Sequence, residues 1–374
     1  VQAEQQGKAY RFHFIPDEPV LAFMPFKLNP ENYVEVRSLK SISADLKLTG
    51  PENAALWIHS NEDSTELAVE MNQIDLHQLS RFAAIPDMQG RVNVALRYVP
   101  SDVSYLIAAD ANIDNLIFRG QPVGELLLNG VYLPLDNNRH RFDAHFYHNE
   151  SELAVVSALY RQPQQKQASG MIDGNMQFDR IPLNELNPFF GGAVDMQGVL
   201  RGRLTLESRE RGPIWNGFLK LDSTSMYVTA AGTRYRFDDQ EVDIKNSKIR
   251  FNKYGIYTTG GNPFMISGTV DISKPMKETA DLRLLAQDML LIDAVEAPGA
   301  MIYGRLPVDL NLTARGPLRS LKIRGGVHVR RGTNVTYVMP DAASELNNDF
   351  SDFVTFTYFS DTVPRRIRDI ERQN

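Results

Sequence analysis

The chain of 374 residues contains no cysteine, which excludes a disulfide framework and any thiolate metal site. It also lacks a long hydrophobic run. Wholly apolar stretches last only a few residues, such as Met289 to Ile292, far short of the roughly 18 to 20 needed for a helix to cross a bilayer. No basic block appears before the last dozen residues. The 40 basic and 46 acidic side chains are interspersed and leave a net charge of −6, a balance that argues against nucleic acid as a partner. No stretch reads as an interdomain linker, and the residues from Val1 onward do not read as a signal peptide. The expectation is an excised part of a longer protein whose anchor or targeting signal lies elsewhere.

Catalytic signatures are missing as well. There is no nucleophile elbow, phosphate loop or His-Glu helix motif. Gly260-Gly261 and Gly325-Gly326 lack the strand-to-helix context in which glycines cradle phosphate, and read as turns or bulges. Asp238-Asp239 falls in a turn, with no apolar pocket to perturb a carboxyl. The densest group of possible metal ligands is His140, His145 and His148 with Asp143 and Glu150. On a strand His140 and His148 share a face while His145 points away, so the three do not converge; they read as a polar, exposed hairpin. The expectation is no enzyme, no catalytic residue, no metal and no cofactor.

What the chain does have is a long repeat. Met88-Gln89-Gly90, Met196-Gln197-Gly198 and Ile302-Tyr303-Gly304 place their glycines 108 and 106 residues apart. After each glycine comes an alternating run: Val92, Val94, Leu96 and Tyr98; Leu200, Leu204 and Leu206; Leu306, Val308, Leu310 and Leu312. Before each comes a short apolar segment, at Ile74-Asp75-Leu76, Ile181-Pro182-Leu183 and Met289-Leu290-Leu291, expected to begin a helical turn. Asp75 is suited to cap the first, ahead of Leu76, Leu79, Phe82 and Ala83. Such a period suggests an array growing in one direction, about three units over 1–142, 143–250 and 251–340.

Period-two alternation broken by Gly, Pro, Asn and Asp predicts strands throughout. They run over Ser41 to Leu48, Ala54 to Ile58, Arg91 to Tyr98, Leu126 to Leu133, Arg141 to Tyr147, Leu153 to Tyr160 and Gly170 to Phe178. Further ones are Val199 to Leu206, Phe218 to Leu221, Glu241 to Phe251, Phe264 to Ile272, Asp281 to Ala286, Leu306 to Leu312 and Lys322 to Val329. Short turns make neighbours antiparallel. Gly50-Pro51, Gly212-Pro213 and Gly316-Pro317 mark turns or edges. Residues 341–374 are polar and charged, apart from an isolated alternation at Phe353 to Phe359, and read as a tail or the start of an insertion. Arg365, Arg366, Arg368 and Arg372 in it read as a solvated basic end.

Each alternating strand has an apolar face that another layer must cover, and amphipathic helices are too few to do it. The sheet must then fold on itself as a sandwich, or curl into a trough with facing walls. The repeat favours an elongated curled antiparallel β-groove with a few short helices. One strand per ~12 residues gives about 28 strands and a trough on the order of 130 Å. Expected wall positions are Val92, Val94, Leu96, Leu200, Leu204, Leu206, Phe264, Ile266, Val270, Val308, Leu310, Leu312 and Ile323. At about 0.8 kcal/mol per buried methylene, an acyl chain of ~16 carbons would gain roughly 12 kcal/mol there before ordering costs.

The strand Leu306 to Thr313, the pair Gly316-Pro317, and the run Leu321-Lys322-Ile323-Arg324-Gly325-Gly326-Val327-His328-Val329-Arg330-Arg331-Gly332-Thr333 resemble the C-terminal region of TamB-like proteins, within the AsmA-like group. So do Val335-Thr336-Tyr337-Val338, Met339-Pro340-Asp341 and Asp352-Phe353-Val354-Thr355-Phe356. The likeness is to Bacteroidetes members and is best over residues 260 to 360. It implies a β-taco reaching through the periplasm from an inner-membrane anchor, with the C-terminal end engaging a TamA-like barrel of the Omp85 type. It further implies a part in outer-membrane biogenesis, either by moving phospholipid between the membranes or by helping to secrete and assemble outer-membrane proteins through β-augmentation. Set against a complete member, the expectation is a piece without the anchor and the final barrel-docking strands.

Overall fold

Alternating strands need hydrogen-bond partners on both sides, and this chain supplies them from its own neighbours. In the computed structural model of the protein the described residues are 1–338, except 16–17, 22–23, 39–40, 62, 64, 84–86, 102–103, 137, 164–169, 210–211, 260–261, 275 and 297–299. Val338 aside, they belong to one unit, Val1–Tyr337. The expectations for Phe353 to Phe359 and for Arg365, Arg366, Arg368 and Arg372 lie outside the described residues.

The first strands are short: β1 (Gln2–Gln6), β2 (Ala9–His13), the isolated pair β3 (Val20–Leu21) and β4 (Met24–Pro25), then β5 (Lys27–Leu28), β6 (Tyr33–Ser38), β7 (Ser41–Thr49), β8 (Ala55–Ser60) and β9 (Leu67–Asp75). A helix, α1 (Leu76–Ala83), leads to β10 (Met88–Pro100), β11 (Tyr105–Phe118), β12 (Gln121–Leu135), β13 (Arg139–His148), β14 (Ser151–Arg161) and β15 (Met171–Pro182). A 3-10 segment, Leu183–Phe190, precedes β16 (Val194–Arg209), β17 (Gly212–Val228), β18 (Thr233–Phe237), β19 (Glu241–Lys245) and β20 (Lys248–Tyr257). The last are β21 (Phe264–Asp271), β22 (Thr279–Ala294), β23 (Ile302–Pro317), β24 (Lys322–Val329) and β25 (Asn334–Tyr337).

All but β3 and β4 join one antiparallel sheet of 23 strands. Pairing follows chain order, with β2 on β6, each strand on the next from β6 to β17, and β20 on to β23. Three strands have a divided neighbour: β7 lies against β5 and β6, β17 against β18 and β19, and β23 against β24 and β25. The fold is therefore the all-β curled groove that alternation and scarce helix require. Its strands are fewer than the 28 expected because they are longer, 17 residues in β17.

The repeat glycines have a backbone reason. Gly90, Gly198 and Gly304 hold φ of 146°, 106° and 110°, a region that side chains disfavour. Gly90 and Gly198 are also the residues skipped where the register shifts, so each is a bulge that bends its strand. A Cβ on Gly198 would stand 2.6 Å from the Thr224 Cα.

The core sits along the strand ends next to α1. Phe26, Leu48, Ala54 and Ile74 form one buried cluster, and Leu76, Leu116 and Val123 form a second; Leu79 and Val92 pack against both. Asp75 Oδ1 accepts from the His77 amide at 2.9 Å, the cap that the sequence predicts. In the second repeat Leu183 is buried and Phe118 meets Phe189 across 5.0 Å, joining the end of β11 to the Leu183–Phe190 segment. The third repeat differs from expectation. Met289-Leu290-Leu291 starts no helical turn but continues β22, because Met289 and Ile292 find partners in Val308 and Leu306. That rim is closed instead by β18: the Tyr235 hydroxyl donates to the Leu291 carbonyl at 2.7 Å and the Asp293 amide to Thr233 Oγ1 at 3.0 Å. Contacts between strands that are not neighbours in the sheet are what curl it shut along this rim.

Candidate functional site

In an antiparallel ladder directly paired residues point to the same side, so the register can be followed from strand to strand. Beginning in β7, the pairs run Leu46–Ile58–Val69–Leu96–Ala109–Gly130–Ala144–Val156. They continue Met176–Leu204–Gly217–Ile244–Ile249–Val270–Ala280–Gly316. Every member is apolar or glycine. Fifteen steps of about 4.8 Å make a row on the order of 70 Å long. Its neighbour on the same face, Leu67–Tyr98–Ile107–Tyr132–Phe142–Ala158–Gly174–Leu206–Trp215, is also without charge. Charges occupy the other face, where Arg201 meets Asp222 at 3.2 Å and Arg315 meets Asp281 at 2.8 Å. Exposed pairs of this kind add little stability.

The apolar face is uncovered along its middle. Leu96, Phe142 and Phe146 keep 37%, 43% and 40% of their surface exposed. A sealed sandwich would bury residues in these positions, so the exposure distinguishes an open groove from a closed core.

All thirteen wall positions expected from the sequence lie on this face, although they do not share one environment. Val94, Leu96, Leu200, Leu204, Leu206, Phe264, Ile266, Leu310 and Leu312 are on the groove surface, each half-buried or more open. Val92 packs into both buried clusters, Val270 is buried, and Val308 is enclosed beside Met289. Ile323 is the opposite case: 61% exposed, it stands on β24 with Val327 and Val329 at the end of the sheet.

A second feature had no local sequence signal. Beyond the Leu96–Val156 stretch, toward the rim opposite α1, the same face carries a chain of rings. Tyr98 and Tyr105 have centroids 5.3 Å apart, Tyr105 and Tyr132 6.0 Å, Tyr132 and His140 5.9 Å, and His140 and Tyr160 5.8 Å. The hydroxyls of Tyr105 and Tyr132 are 3.4 Å apart, and that of Tyr132 lies 2.8 Å from His140 Nδ1. The Tyr105 hydrogen bond and burial push the Tyr132 phenol up to about 12, so it keeps its proton.

The three histidines divide as their spacing requires, since His140 and His148 pair with Pro134 and Leu126 on the groove face while His145 pairs with Asn129 on the other. The exposed-hairpin expectation fails for His148, which is 4% exposed. Its Nε2 is 2.6 Å from the Val123 carbonyl and its Nδ1 3.1 Å from a Glu185 oxygen, because the Leu183–Phe190 segment folds over the end of β13. His145 is 2.7 Å from Glu152. Asp238 and Asp239 lie in the loop between β18 and β19.

An open, single-sheet all-β groove is thus the class of protein that fold and face define. Within it, residues 252–369 match the family model of the TamB C-terminal domain, which marks this part of the chain as a TamB-like region. That family comprises transport and assembly proteins of the cell envelope. No curated protein and no solved structure matches the chain. Among the described residues no helix is long and apolar enough to cross a membrane.

Proposed function

We propose that the chain is a non-enzymatic conduit, a periplasmic part of an inner-membrane-anchored envelope protein, whose groove carries phospholipid acyl chains between the membranes and so supports outer-membrane biogenesis. The observation that carries this reading is the cross-strand row from Leu46 to Gly316, apolar throughout, open at Leu96 and flanked by the open Phe142 of the neighbouring row. A wall of near-uniform character lets a chain slide without crossing a charged step, and each methylene held there is worth about 0.8 kcal/mol. The three repeats would lengthen one trough, with the thirteen positions above as wall and floor. The TamB-like match supports an envelope role, and an Omp85-type barrel is the partner this reading gives to the full-length protein. Native mass spectrometry of the purified chain tests it: retained diacyl phospholipid is expected, and a chain that remains empty after incubation with phospholipid vesicles ends the reading.

A second reading is favoured by β24, all eight residues of which are exposed and which pairs, among the described residues, with β23 alone. A free edge of this kind accepts an extended segment by main-chain hydrogen bonds. The groove would then serve as a chaperone-like module that passes outer-membrane strands to the barrel. Proline in place of Val327, whose N–H points away from β23 because the ladder bonds fall on its neighbours in step with the Arg330 amide bonded to the Pro307 carbonyl, would impair that activity while leaving lipid retention intact.

A further inference from the structure

Across β10 to β14 the groove face changes in polarity from one rim to the other. Nearest α1 stand Val92, Ile113 and Leu126 against the buried clusters. The floor narrows to Ala109, Gly130 and Ala144. Beyond it come the rings of Tyr98 and Tyr132, and last Tyr105, His140 and Tyr160. From Leu126 to Tyr132 is about 20 Å of apolar floor at ~3.4 Å per residue, comparable to the ~15 Å hydrocarbon depth of one bilayer leaflet.

We propose that the line Tyr98, Tyr105, Tyr132, His140 and Tyr160 is a binding rail for the glycerol-ester and phosphate region of a diacyl phospholipid, with the tails directed toward the α1 rim. This rests on the acyl-chain reading above and adds an orientation and a polar contact to it. Tyrosine suits the task because its ring is apolar and its hydroxyl polar, the combination found where hydrocarbon meets water. The Tyr132 hydroxyl proton is committed within the line, and that sets which donor is left for a ligand. With the Tyr132 O–H directed at His140 Nδ1, the imidazole proton sits on Nε2, which has no partner among the described residues. Gly170 lies against Tyr160, where any Cβ would strike the ring, so the following chain leaves room for that ring at the rim.

Cross-strand rings also stabilise a sheet by themselves, and that contribution needs the rings, whereas the rail needs the hydroxyls. A Tyr105→Phe/Tyr132→Phe/Tyr160→Phe variant keeps every ring. Wild type and variant are loaded with dipalmitoylphosphatidylethanolamine from vesicles or with n-hexadecane, and occupancy is measured. Phospholipid retention is expected to fall about tenfold, the equivalent of one or two lost hydrogen bonds, with hexadecane retention unchanged. Equal retention of phospholipid by both proteins, or an equal loss of both ligands, overturns the rail and leaves the conduit standing. Wild type that takes hexadecane but not phospholipid overturns the rail and the phospholipid conduit while leaving an apolar groove. Wild type that takes neither overturns the acyl-chain reading and the rail together.

Discussion

His148 Nδ1 lies 3.1 Å from the Glu185 carboxylate, and this contact fastens the Leu183–Phe190 segment to the end of β13 while Nε2 engages the Val123 carbonyl on β12. One buried ring thereby ties three pieces of chain along the closed rim. His148→Ala leaves a carbonyl and a carboxylate without this partner, and a loss of about 1 to 3 kcal/mol is expected. Glu185→Ala removes one of the two contacts and is expected to cost less. Urea unfolding gives the order, and hydrogen exchange over Leu183–Phe190 shows whether the cover loosens first. Equal midpoints for wild type and both variants would mean that Leu183 and Phe189 hold the segment unaided.

Gly198 tests whether the bulges are needed. Its φ of 106° and the nearness of Thr224 leave alanine both strained and crowded, so Gly198→Ala is expected to destabilise by about 1 to 3 kcal/mol. The exposed Gly7, which has nothing near its Cβ position but also a positive φ of 65°, separates the two causes. Gly7→Ala carries the strain without the crowding, and thermal unfolding of the pair is expected to rank Gly198→Ala as the worse.

The acyl-chain reading makes its own demand on the wall. Leu204 stands between Met176 and Gly217, and Leu310 between Ala286 and Val327. Leu204→Arg with Leu310→Asp places a charge at two points of the slide. Retained phospholipid is expected to fall about tenfold or more, since even one unpaired charge in apolar surroundings costs several kcal/mol. Circular dichroism checks that the sheet survives. Folded variants with undiminished lipid would remove the groove from consideration.

Acid should loosen the last hairpin. Asp309 Oδ1 accepts from the Asp288 amide at 2.8 Å, and both carboxylate oxygens accept from Arg330 Nε at 2.8 and 2.9 Å. The Asp288 amide, followed by Arg330, holds this carboxyl below its usual range. Because the folded state favours the ionised form, the stabilisation is complete above the unfolded value near 4 and is lost as pH falls through the lower folded value. Exchange protection in β24 is expected to drop below about pH 4 in wild type. In Asp309→Asn that protection is expected to be lower already at neutral pH and to lack this acid step.

How much could be read beforehand depended on what each feature left in the sequence. Alternation marks the sheet and its antiparallel order, since these depend on neighbouring residues alone, and the repeat marks Gly90 and Gly198 as positions without showing that they are bulges, which only the register reveals. The strand Tyr105–Phe118 escaped notice because Leu106 and Ala108 blur its outward face, while Asp110, Asn112 and Asp114 resemble turn residues. Glu241 to Phe251 reads as one strand, yet it turns at Asn246 and Ser247, whose φ values are 50° and 59°, with neither glycine nor proline to mark the place. The tyrosine line could not be foreseen at all. Its members come from five strands joined by turns of unequal length, and only the register brings them side by side. His148 looked like a surface residue because its cover, the segment carrying Glu185, arrives 37 positions later in the chain.

Because strands hydrogen-bond mainly to those just before or after them, assembly of this sheet need not wait for a distant end to arrive. Each hairpin can zip onto the previous one as the polypeptide emerges, with small loop-closure costs throughout. The same wiring makes size adjustable: duplicating or deleting a block of about 107 residues would extend or shorten the span without rerouting any connection, so a gene could fit its product to a wider or narrower gap by copy number alone.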